Sequence, residues 1–306
     1  MTRKPKPLKP GDQIRIVTPA SPLTQERIQK GVSLLEGEGY RVTLSSNVFA
    51  SDAYLAGDDG TRAKDLMEAF EDPDVAMVYC SRGGYGSARL LPFLDFDKMA
   101  ASGKLFAGFS DVTTLHLALN RRGLPTLHAP MPITLNTDRE PWVYESLKNA
   151  LKGSREVPKD APRGKAITGG TAEGAVVGGC LCLLCDSIGT AEPLETEGKI
   201  LIIEDVDEAP HRVDAMLTHL LNTKLAQGCA GIVIGEMTRT DDKKDEGIGG
   251  RPWREIVKDR LGNLGIPLII DYPFGHAANM LTLGLGVTAH LDADAGTLTY
   301  LESVCE

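Results

Sequence analysis

The chain has 306 residues, of which 42% are apolar and 25% charged, and this composition is typical of a globular protein with a large core. Its formal net charge of −9 argues against nucleic acid or an anionic membrane as the main partner. The longest apolar run, 175–185, is too short to span a bilayer. No apolar run follows the basic N-terminus (Lys4, Lys6, Lys9), so we expect no signal peptide and a cytoplasmic protein.

Strands and helices alternate along the first half of the chain. The run VAMVYC (75–80) is apolar throughout, as expected of a parallel strand that is covered on both faces. This alternation predicts an α/β domain with a mostly parallel sheet flanked by helices. The predicted strands are 14–17, 40–44, 75–80 and 105–109, and the predicted helices are 25–38, 62–70 and 112–121.

The composition changes at residues 152–172, which are rich in Lys, Arg, Gly and Pro. We therefore predict an N-terminal domain over 1–155, a linker or mobile loop over 156–172, and a C-terminal domain over 173–306. The second domain has predicted strands at 199–203, 231–234 and 268–270, a hairpin-like pair at 285–291 and 297–301, and helices at 215–226 and 253–261.

Ser110 lies where a predicted strand runs through GFSD into a predicted helix. On such a turn the hydroxyl points outward and the first amides of the helix lie close by, which suits a nucleophilic serine. The alternative is that Ser110 caps the helix, because serine is a preferred N-cap residue. This stretch alone favours the cap.

Three other groups of polar residues follow predicted strands, where open α/β sheets bind their ligands. SRGGYGS (81–87) can bring backbone amides close to a ligand, or can be only a tight turn. Glu204 follows KILII and can orient an imidazole, or can belong to an ordinary acidic loop. His276, in the turn FGHAAN, can act as a general base for a serine, or can be structural.

Cys180, Cys182 and Cys185 form a C-x-C-x-x-C cluster within the apolar sequence GGCLCLLCD. No second pair of ligands at zinc spacing accompanies them. We therefore expect these cysteines to pack in the core as small hydrophobic residues, and we predict neither a metal ion nor a cofactor.

Together these motifs resemble the LD-carboxypeptidases of the serine peptidase S66 family. The resemblance is carried by RGGYGSARLLPFLDFDKM (82–99), GFSDVTTLHLAL (108–119), LHAPM (127–131), KILIIEDVDEAPHRVDAMLTHL (199–220) and GHAANMLTLGLG (275–286). The chain departs from the family at three places. GGCL (178–181) stands where many relatives have GGNL, HAPM replaces HGPM, and Thr282 replaces a frequent proline.

The resemblance implies a Ser-His-Glu triad, which falls on Ser110, His276 and Glu204. It implies an oxyanion hole formed by the amide of Asp111 and one amide of the glycine-rich turn, Gly83 or Gly84. It also implies that the C-terminal α/β domain is β-rich and barrel-like.

The implied activity is removal of terminal D-alanine from murein tetrapeptides (L-Ala-γ-D-Glu-meso-Dap-D-Ala) in cell-wall recycling, by a homodimer and without a metal. We expect Arg82 and Tyr85 to contact the substrate, with Arg82 at its terminal carboxylate. One alternative is a microcin C immunity-type peptidase, which hydrolyses an aminoacyl-nucleotide amide. The absence of aromatic residues from 152–172 argues against it. A different class is a non-catalytic module that binds a nucleotide or peptide, with Ser110 as a cap.

Overall fold

The computed structural model describes residues 4–244 and 247–306. Its strands are β1 (Gln13–Val17), β2 (Arg41–Leu44), β3 (Val75–Cys80), β4 (Leu105–Gly108), β5 (Thr126–His128), β6 (Lys165–Thr168), β7 (Thr171–Cys180), β8 (Ile200–Val206), β9 (Gly231–Thr238), β10 (Leu268–Ile270), β11 (Leu283–Leu285), β12 (Thr288–Asp292) and β13 (Thr297–Tyr300). Its α-helices are α1 (Gln29–Gly37), α2 (Asp59–Glu71), α3 (Phe96–Ala101), α4 (Thr113–Arg121), α5 (Pro141–Leu151), α6 (Leu181–Asp186), α7 (Pro210–Asn222) and α8 (Trp253–Leu261). Short 3₁₀ helices cover Gln25–Arg27, Ser87–Phe93, Ser110–Val112 and Thr134–Asn136. None of the helices in the described ranges has both the length and the apolar character of a membrane span.

The first sheet has six strands in the order β11-β5-β4-β3-β1-β2. Strands β1 to β5 run parallel, and β11 joins the edge antiparallel to β5. Every residue of β4 is buried, and β3 covers the residues predicted for it. Apolar side chains from both faces of this sheet pack beneath helices, which is why the central strands β3 and β4 have no polar alternation.

The second sheet has seven strands in the order β13-β12-β7-β8-β9-β10-β6. Strands β7 to β10 run parallel, and the outer strands join antiparallel. One of its faces is covered by α6, α7 and α8. The mixed α/β architecture with two sheets confirms the predicted fold class.

Two predicted features of the second half are wrong. The segment 156–172 is not all loop, because Lys165–Thr168 pairs with β10 at the sheet edge. An edge strand with half-exposed side chains needs little apolar periodicity, so its sequence resembles a loop.

The predicted strand 285–291 is divided, because Leu283–Leu285 joins the first sheet and Thr288–Asp292 joins the second. Gly286, at φ +78°, makes the turn between them. The domain boundaries stay a prediction.

Contacts between α4 and β7 join the two sheets close to the end of β4. The amide of Cys180 donates to Thr113 Oγ1 at 3.1 Å. A side chain at Gly179 would prevent this approach, since its Cβ would lie 2.5 Å from Thr113 Oγ1. Near the other end of α4, Arg122 donates two hydrogen bonds of 2.8 Å to the carboxylate of Glu192. The two sheets are therefore held by both a close backbone approach and a bidentate ion pair.

Helix α1 offers a matched test of packing. Gly31 is buried, and a Cβ there would lie 2.5 Å from the carbonyl oxygen and 2.8 Å from Cα of Pro132. Gly37 is exposed at the end of the same helix, and a Cβ there would have no atom within 4 Å.

We expect Gly31→Ala to lower the free energy of unfolding by about 1 to 3 kcal/mol, because backbone must move to admit the methyl group. Gly37→Ala should be neutral or stabilise by up to about 1 kcal/mol, since alanine loses less conformational entropy in a helix. Urea unfolding of the two variants and the wild type measures both effects. Equal midpoints for the two variants would contradict the close packing of α1 on Pro132.

Candidate active site

Ser110 lies between β4 and α4 as the first residue of the 3₁₀ helix Ser110–Val112. Its φ is +66°, in the left-handed region that non-glycine residues rarely adopt. Such a conformation costs of the order of 1 to 3 kcal/mol, and residues that adopt it cluster at active sites and ligand-binding turns. The strained turn leaves Ser110 partly exposed, directly after a strand that is wholly buried.

Ser110 does not cap a helix with its side chain. Phe109 holds the N-cap position of the 3₁₀ helix and Val112 that of α4, and neither helix has a side-chain cap hydrogen bond. The hydroxyl of Ser110 contacts His276 instead. The cap interpretation is therefore wrong, because Ser110 accepts no hydrogen bond from a helix amide in either N-cap position and its hydroxyl faces His276.

The side chain of His276 connects Ser110 with Glu204. Its Nε2 lies 3.0 Å from Ser110 Oγ, and its Nδ1 lies 2.6 Å from Glu204 Oε2. Glu204 is fully buried on β8, whereas His276 and Ser110 are partly exposed. When Nδ1–H donates to the carboxylate, Nε2 is left to accept the proton of the hydroxyl. The structure thus brings together three side chains that are far apart in the sequence.

The turn after β10 fixes His276 against Glu204. The amide of His276 donates to Glu204 Oε2 at 3.1 Å, in addition to the ring nitrogen. Gly275 has φ +88°, and a Cβ there would lie 2.6 Å from Cβ of Glu204. The far side of the turn is held by Asn279, whose Oδ1 accepts the amide of Glu140 at 2.9 Å. A glycine before the histidine is therefore required for the carboxylate to approach.

The environment favours a charged pair of Glu204 and His276. Burial opposes protonation of His276, but the charge and hydrogen bond of Glu204 outweigh it and raise the pKa of the imidazole. Burial likewise favours the neutral carboxyl of Glu204, but the charge and hydrogen bonds of His276 outweigh it and lower that pKa. Both directions describe one interaction, in which the carboxylate stabilises an imidazolium.

His128 lies beside this pair and was not assigned a role from the sequence. It is fully buried, and neither of its ring nitrogens has a hydrogen-bond partner among the described residues. Burial lowers its pKa to about 4, although the charge of Glu204 opposes the shift. Its ring lies 5.5 Å from that of Phe109, which in turn lies 4.9 Å from the ring of His276. In the sequence, His128 was marked only by the motif LHAPM, and that motif does not indicate its contact with Phe109.

The glycine-rich turn lies against Ser110. A Cβ at Gly83 would lie 3.0 Å from Ser110 Oγ and 3.2 Å from the amide nitrogen of Asp111. Gly84, at φ +113°, faces Ser21 instead, with a Cβ position 2.6 Å from Cβ of Ser21. The geometry therefore distinguishes the two glycines, and Gly83 is the one beside the hydroxyl.

The turn is tied to both of its neighbours. The side chain of Asp111 accepts the amide of Ser87 at 2.7 Å, which joins the end of the turn to the helix after Ser110. On the other side, Ser21 Oγ accepts the amide of Tyr85 at 3.1 Å. These bonds hold the turn in place while leaving its glycines next to the serine.

Arg82 and Tyr85 differ in their surroundings. The guanidinium of Arg82 donates to the carbonyl oxygens of Gly83 at 3.1 Å and Pro22 at 2.9 Å, and among the described residues it makes no ion pair. Burial lowers the pKa of Arg82, and the nearby charge of Arg27 adds to the effect. Tyr85 is exposed and its ring meets that of Tyr54 edge-on, with centroids 5.7 Å apart. Both predicted contacts are thus accessible, and their roles stay predictions.

The cysteine cluster only partly fits the expectation of core packing. Cys180 is buried, but Cys182 and Cys185 are partly exposed. Cys180 ends β7, and Cys182 lies in the first turn of α6. The Sγ atoms of Cys180 and Cys182 and a carboxylate oxygen of Asp205 lie within 4.8 Å of one another. These three residues are the group of His, Cys, Asp or Glu side chains in the described part of the chain that could hold a metal ion.

Comparison with known proteins identifies the class. Residues 14–129 match the N-terminal domain, and residues 173–291 the C-terminal domain, of the LD-carboxypeptidases. The chain is therefore a hydrolase of the carboxypeptidase class. It belongs to the LD-carboxypeptidase family, peptidase S66, as the sequence motifs predicted.

Individual relatives cover nearly the whole chain. A Streptomyces coelicolor protein with a provisional carboxypeptidase name is 38% identical over 303 residues, which cover 97% of this chain and 95% of that protein. The murein tetrapeptide carboxypeptidase of Pseudomonas aeruginosa is 31% identical over 294 residues, 92% of this chain and 94% of that protein. The structure of the microcin C7 self immunity protein in complex with aspartyl sulfamoyl adenosine is similar with a TM-score of 0.86, at 25% identity over 99% of both chains.

We expect Glu204→Gln to lower the pKa of His276 below the ordinary imidazole value of about 6.5, because burial then acts without the opposing carboxylate. In the wild type the same pKa should lie above that value. Titration of the ring C–H signals by NMR measures both. Glu173→Gln is the matched control, because Glu173 is exposed, pairs with the partly exposed His290 at 3.2 Å, and should leave His276 unchanged. An unaltered His276 in Glu204→Gln would contradict the charged pair.

Proposed function

We propose that this chain is a serine-type LD-carboxypeptidase that removes terminal D-alanine from murein tetrapeptides. The observation that carries the proposal is the continuous line of hydrogen bonds from Ser110 Oγ through His276 to the buried carboxylate of Glu204. The substrate class is supported by the murein tetrapeptide carboxypeptidase of Pseudomonas aeruginosa. The cytoplasmic location and the homodimer stay predictions.

In the first step Ser110 Oγ attacks the scissile carbonyl carbon. His276 Nε2 lies 3.0 Å from this oxygen and takes its proton. Glu204 holds the ring through Nδ1 and stabilises the imidazolium, and it stays ionised itself. The raised pKa of His276 suits this role, since the imidazolium must persist until the leaving group needs a proton.

The developing oxyanion needs donors on the side of Ser110 that faces the glycine-rich turn. We assign this role to the amides of Asp111 and Gly83, because Gly83 packs against both Ser110 Oγ and the amide of Asp111. Gly84 faces Ser21 and is left out of the assignment. Loss of one such donor typically costs about 3 to 4 kcal/mol in comparable sites.

The acyl-enzyme is formed when the bond to D-alanine breaks. His276 gives its proton to the departing amine, and then takes a proton from the water that attacks the ester on Ser110. Release of the peptide acid restores the serine hydroxyl. His276 therefore acts as a base towards the attacking group and as an acid towards the departing group, both when the acyl-enzyme forms and when it is hydrolysed.

The terminal carboxylate of the substrate requires a donor close to the leaving group. Arg82 is suited because it neighbours Gly83 and makes no ion pair with a carboxylate in the described part of the chain. A guanidinium that is held by two carbonyl oxygens keeps its charge and retains further N–H groups for a ligand.

The test is release of D-alanine from L-Ala-γ-D-Glu-meso-Dap-D-Ala. We expect turnover by the wild type, and a fall of about 10⁴-fold or more in Ser110→Ala, because no other group can form the acyl-enzyme. Ser154→Ala is the control, since Ser154 is exposed and is outside the site. Full activity of Ser110→Ala would refute the serine mechanism.

A second candidate function is hydrolysis of an aminoacyl-nucleotide amide, which is suggested by the similarity to the microcin C7 self immunity protein. The absence of aromatic residues from 152–172 disfavours it, but the exposed pair Tyr54 and Tyr85 could stack on a base. The same enzyme preparation is therefore assayed with aspartyl sulfamoyl adenosine. Hydrolysis of that compound without release of D-alanine would replace the murein peptide as the substrate and leave the triad in place.

Arg82→Ala should raise KM for the tetrapeptide about tenfold or more, because a charge-assisted hydrogen bond to the terminal carboxylate contributes about 1.5 to 3 kcal/mol. The variant should hydrolyse the corresponding C-terminal amide no worse than the wild type does. Arg89→Ala is the control, since Arg89 lies in the 3₁₀ helix that follows the turn and pairs with Asp59 at 2.8 Å. An equal loss on acid and amide substrates would show that Arg82 acts only on the shape of the turn.

A further inference from the structure

We propose that Cys180, Cys182 and Asp205 form a binding site for a thiophilic divalent ion such as Zn²⁺. The end of β7 supplies Cys180, the first turn of α6 supplies Cys182, and β8 supplies Asp205. Thiolate and carboxylate are both zinc ligands, and three protein ligands with one open position form a known type of zinc site. The fourth ligand is water, which reaches the cluster from the side of the partly exposed Cys182.

Two of the three distances between ligand atoms are close to those around a tetrahedral ion, and the third, between Cys182 Sγ and the carboxylate of Asp205, is within 4.8 Å. With Zn–S of about 2.3 Å and Zn–O of about 2.1 Å, tetrahedral angles place two sulfurs ~3.8 Å apart and a sulfur and an oxygen ~3.6 Å apart. The Sγ atoms of Cys180 and Cys182 are 3.5 Å apart, and Cys180 Sγ lies 3.5 Å from Asp205 Oδ1. Shifts of a few tenths of an ångström would therefore admit the ion.

The carboxylate of Asp205 lacks a cationic partner. Its side chain is 1% exposed, and it makes no ion pair among the described residues. Buried carboxylates are generally paired or coordinated to a metal, and an ion at the cluster would coordinate this one directly.

The hydrogen bonds of Asp205 are compatible with a metal. Its two oxygens accept the amides of Val206 at 2.7 Å and Cys182 at 2.9 Å. Each carboxylate oxygen has a second lone pair, so Oδ1 can bind an ion and still accept an amide. These amides hold the carboxylate in place, which is the support that a metal ligand needs.

Protons and the ion exchange at the same positions. The thiol of Cys180 donates to Asp205 Oδ1, and a second S–H bridges the two sulfurs. Binding replaces both thiol protons, which go to the solvent, and leaves two thiolates and one carboxylate on the ion. No electron is transferred, and no oxidant is needed.

The test is titration of the reduced, metal-free chain with Cd²⁺ and Zn²⁺ in the presence of a phosphine reductant. Cd²⁺ bound to thiolates is followed by its ultraviolet charge-transfer band, and Zn²⁺ by competition with a chromophoric chelator. We expect one ion per chain, release of protons, and a rise in Tm on binding. Cys180→Ser and Cys182→Ser should each weaken binding at least about tenfold, because hydroxyl oxygen is a poor substitute for thiolate.

Cys185→Ser is the matched control. Cys185 is also partly exposed in α6, but its thiol donates to the carbonyl oxygen of Met216. This variant should bind the ion as the wild type does. If Cys180→Ser fails to fold, Cys182→Ser still decides, since its side chain is partly exposed. The proposal is overturned if the wild type binds no more tightly than Cys182→Ser, or if Cys185→Ser loses binding equally.

Discussion

The carboxylate of Glu204 is buried without any exposed surface, and its pairing with His276 is the interaction on which the site depends. An isolated buried carboxylate costs several kcal/mol, and the cost is offset only by close hydrogen bonds and an opposite charge. His276 supplies both through its amide and its ring, and Gly275 allows the approach. The same contacts fix the tautomer and orientation of the imidazole. The hydrogen bonds that stabilise the buried carboxylate of Glu204 are thus the same ones that position His276 for catalysis.

Alignment of Ser110 with that pair depends on how the two sheets meet. Ser110 belongs to the first sheet and Glu204 to the second, and a displacement of about 1 Å between reacting groups can cost about 10²-fold in rate. The amide of Cys180 reaches Thr113, at the start of the helix that follows Ser110. Strand β11 adds a second junction by pairing with β5 at the edge of the first sheet. The distance of 3.0 Å from Ser110 to His276 is therefore a property of the junction as well as of the turn.

The sequence predicted those parts that depend on local pattern. VAMVYC predicted the bounds of β3 because a strand buried on both faces has an uninterrupted apolar run. The helix 253–261 was also predicted with its bounds, and its buried residues (Trp253, Ile256, Val257 and Leu261) recur at helical spacing. Glu204 and His276 were candidates because each follows a predicted strand, although β8 extends through Glu204 to Val206. The positive φ of Ser110 and the choice of Gly83 over Gly84 depend on nonlocal packing and could not be predicted. Residues 285–291 were predicted as one strand because their apolar pattern is nearly continuous, although β11 pairs in the first sheet and β12 in the second.

The cysteine cluster likewise includes a residue that spacing along the chain could not reveal. Spacing along the chain revealed Cys180 and Cys182 but no further ligand pair, and it argued against a metal for that reason. The third ligand atom comes from Asp205 on the neighbouring strand, because β7 and β8 are parallel and Cys180 lies opposite Glu204 in the register. Parallel strands bring their carboxyl ends to one edge, so residues from distant segments meet there. That edge carries two buried carboxylates, and the single imidazole of His276 is hydrogen-bonded to only one of them. A thiophilic ion would give the second carboxylate a coordination partner of its own and leave the hydrogen bonds between Glu204 and His276 in place.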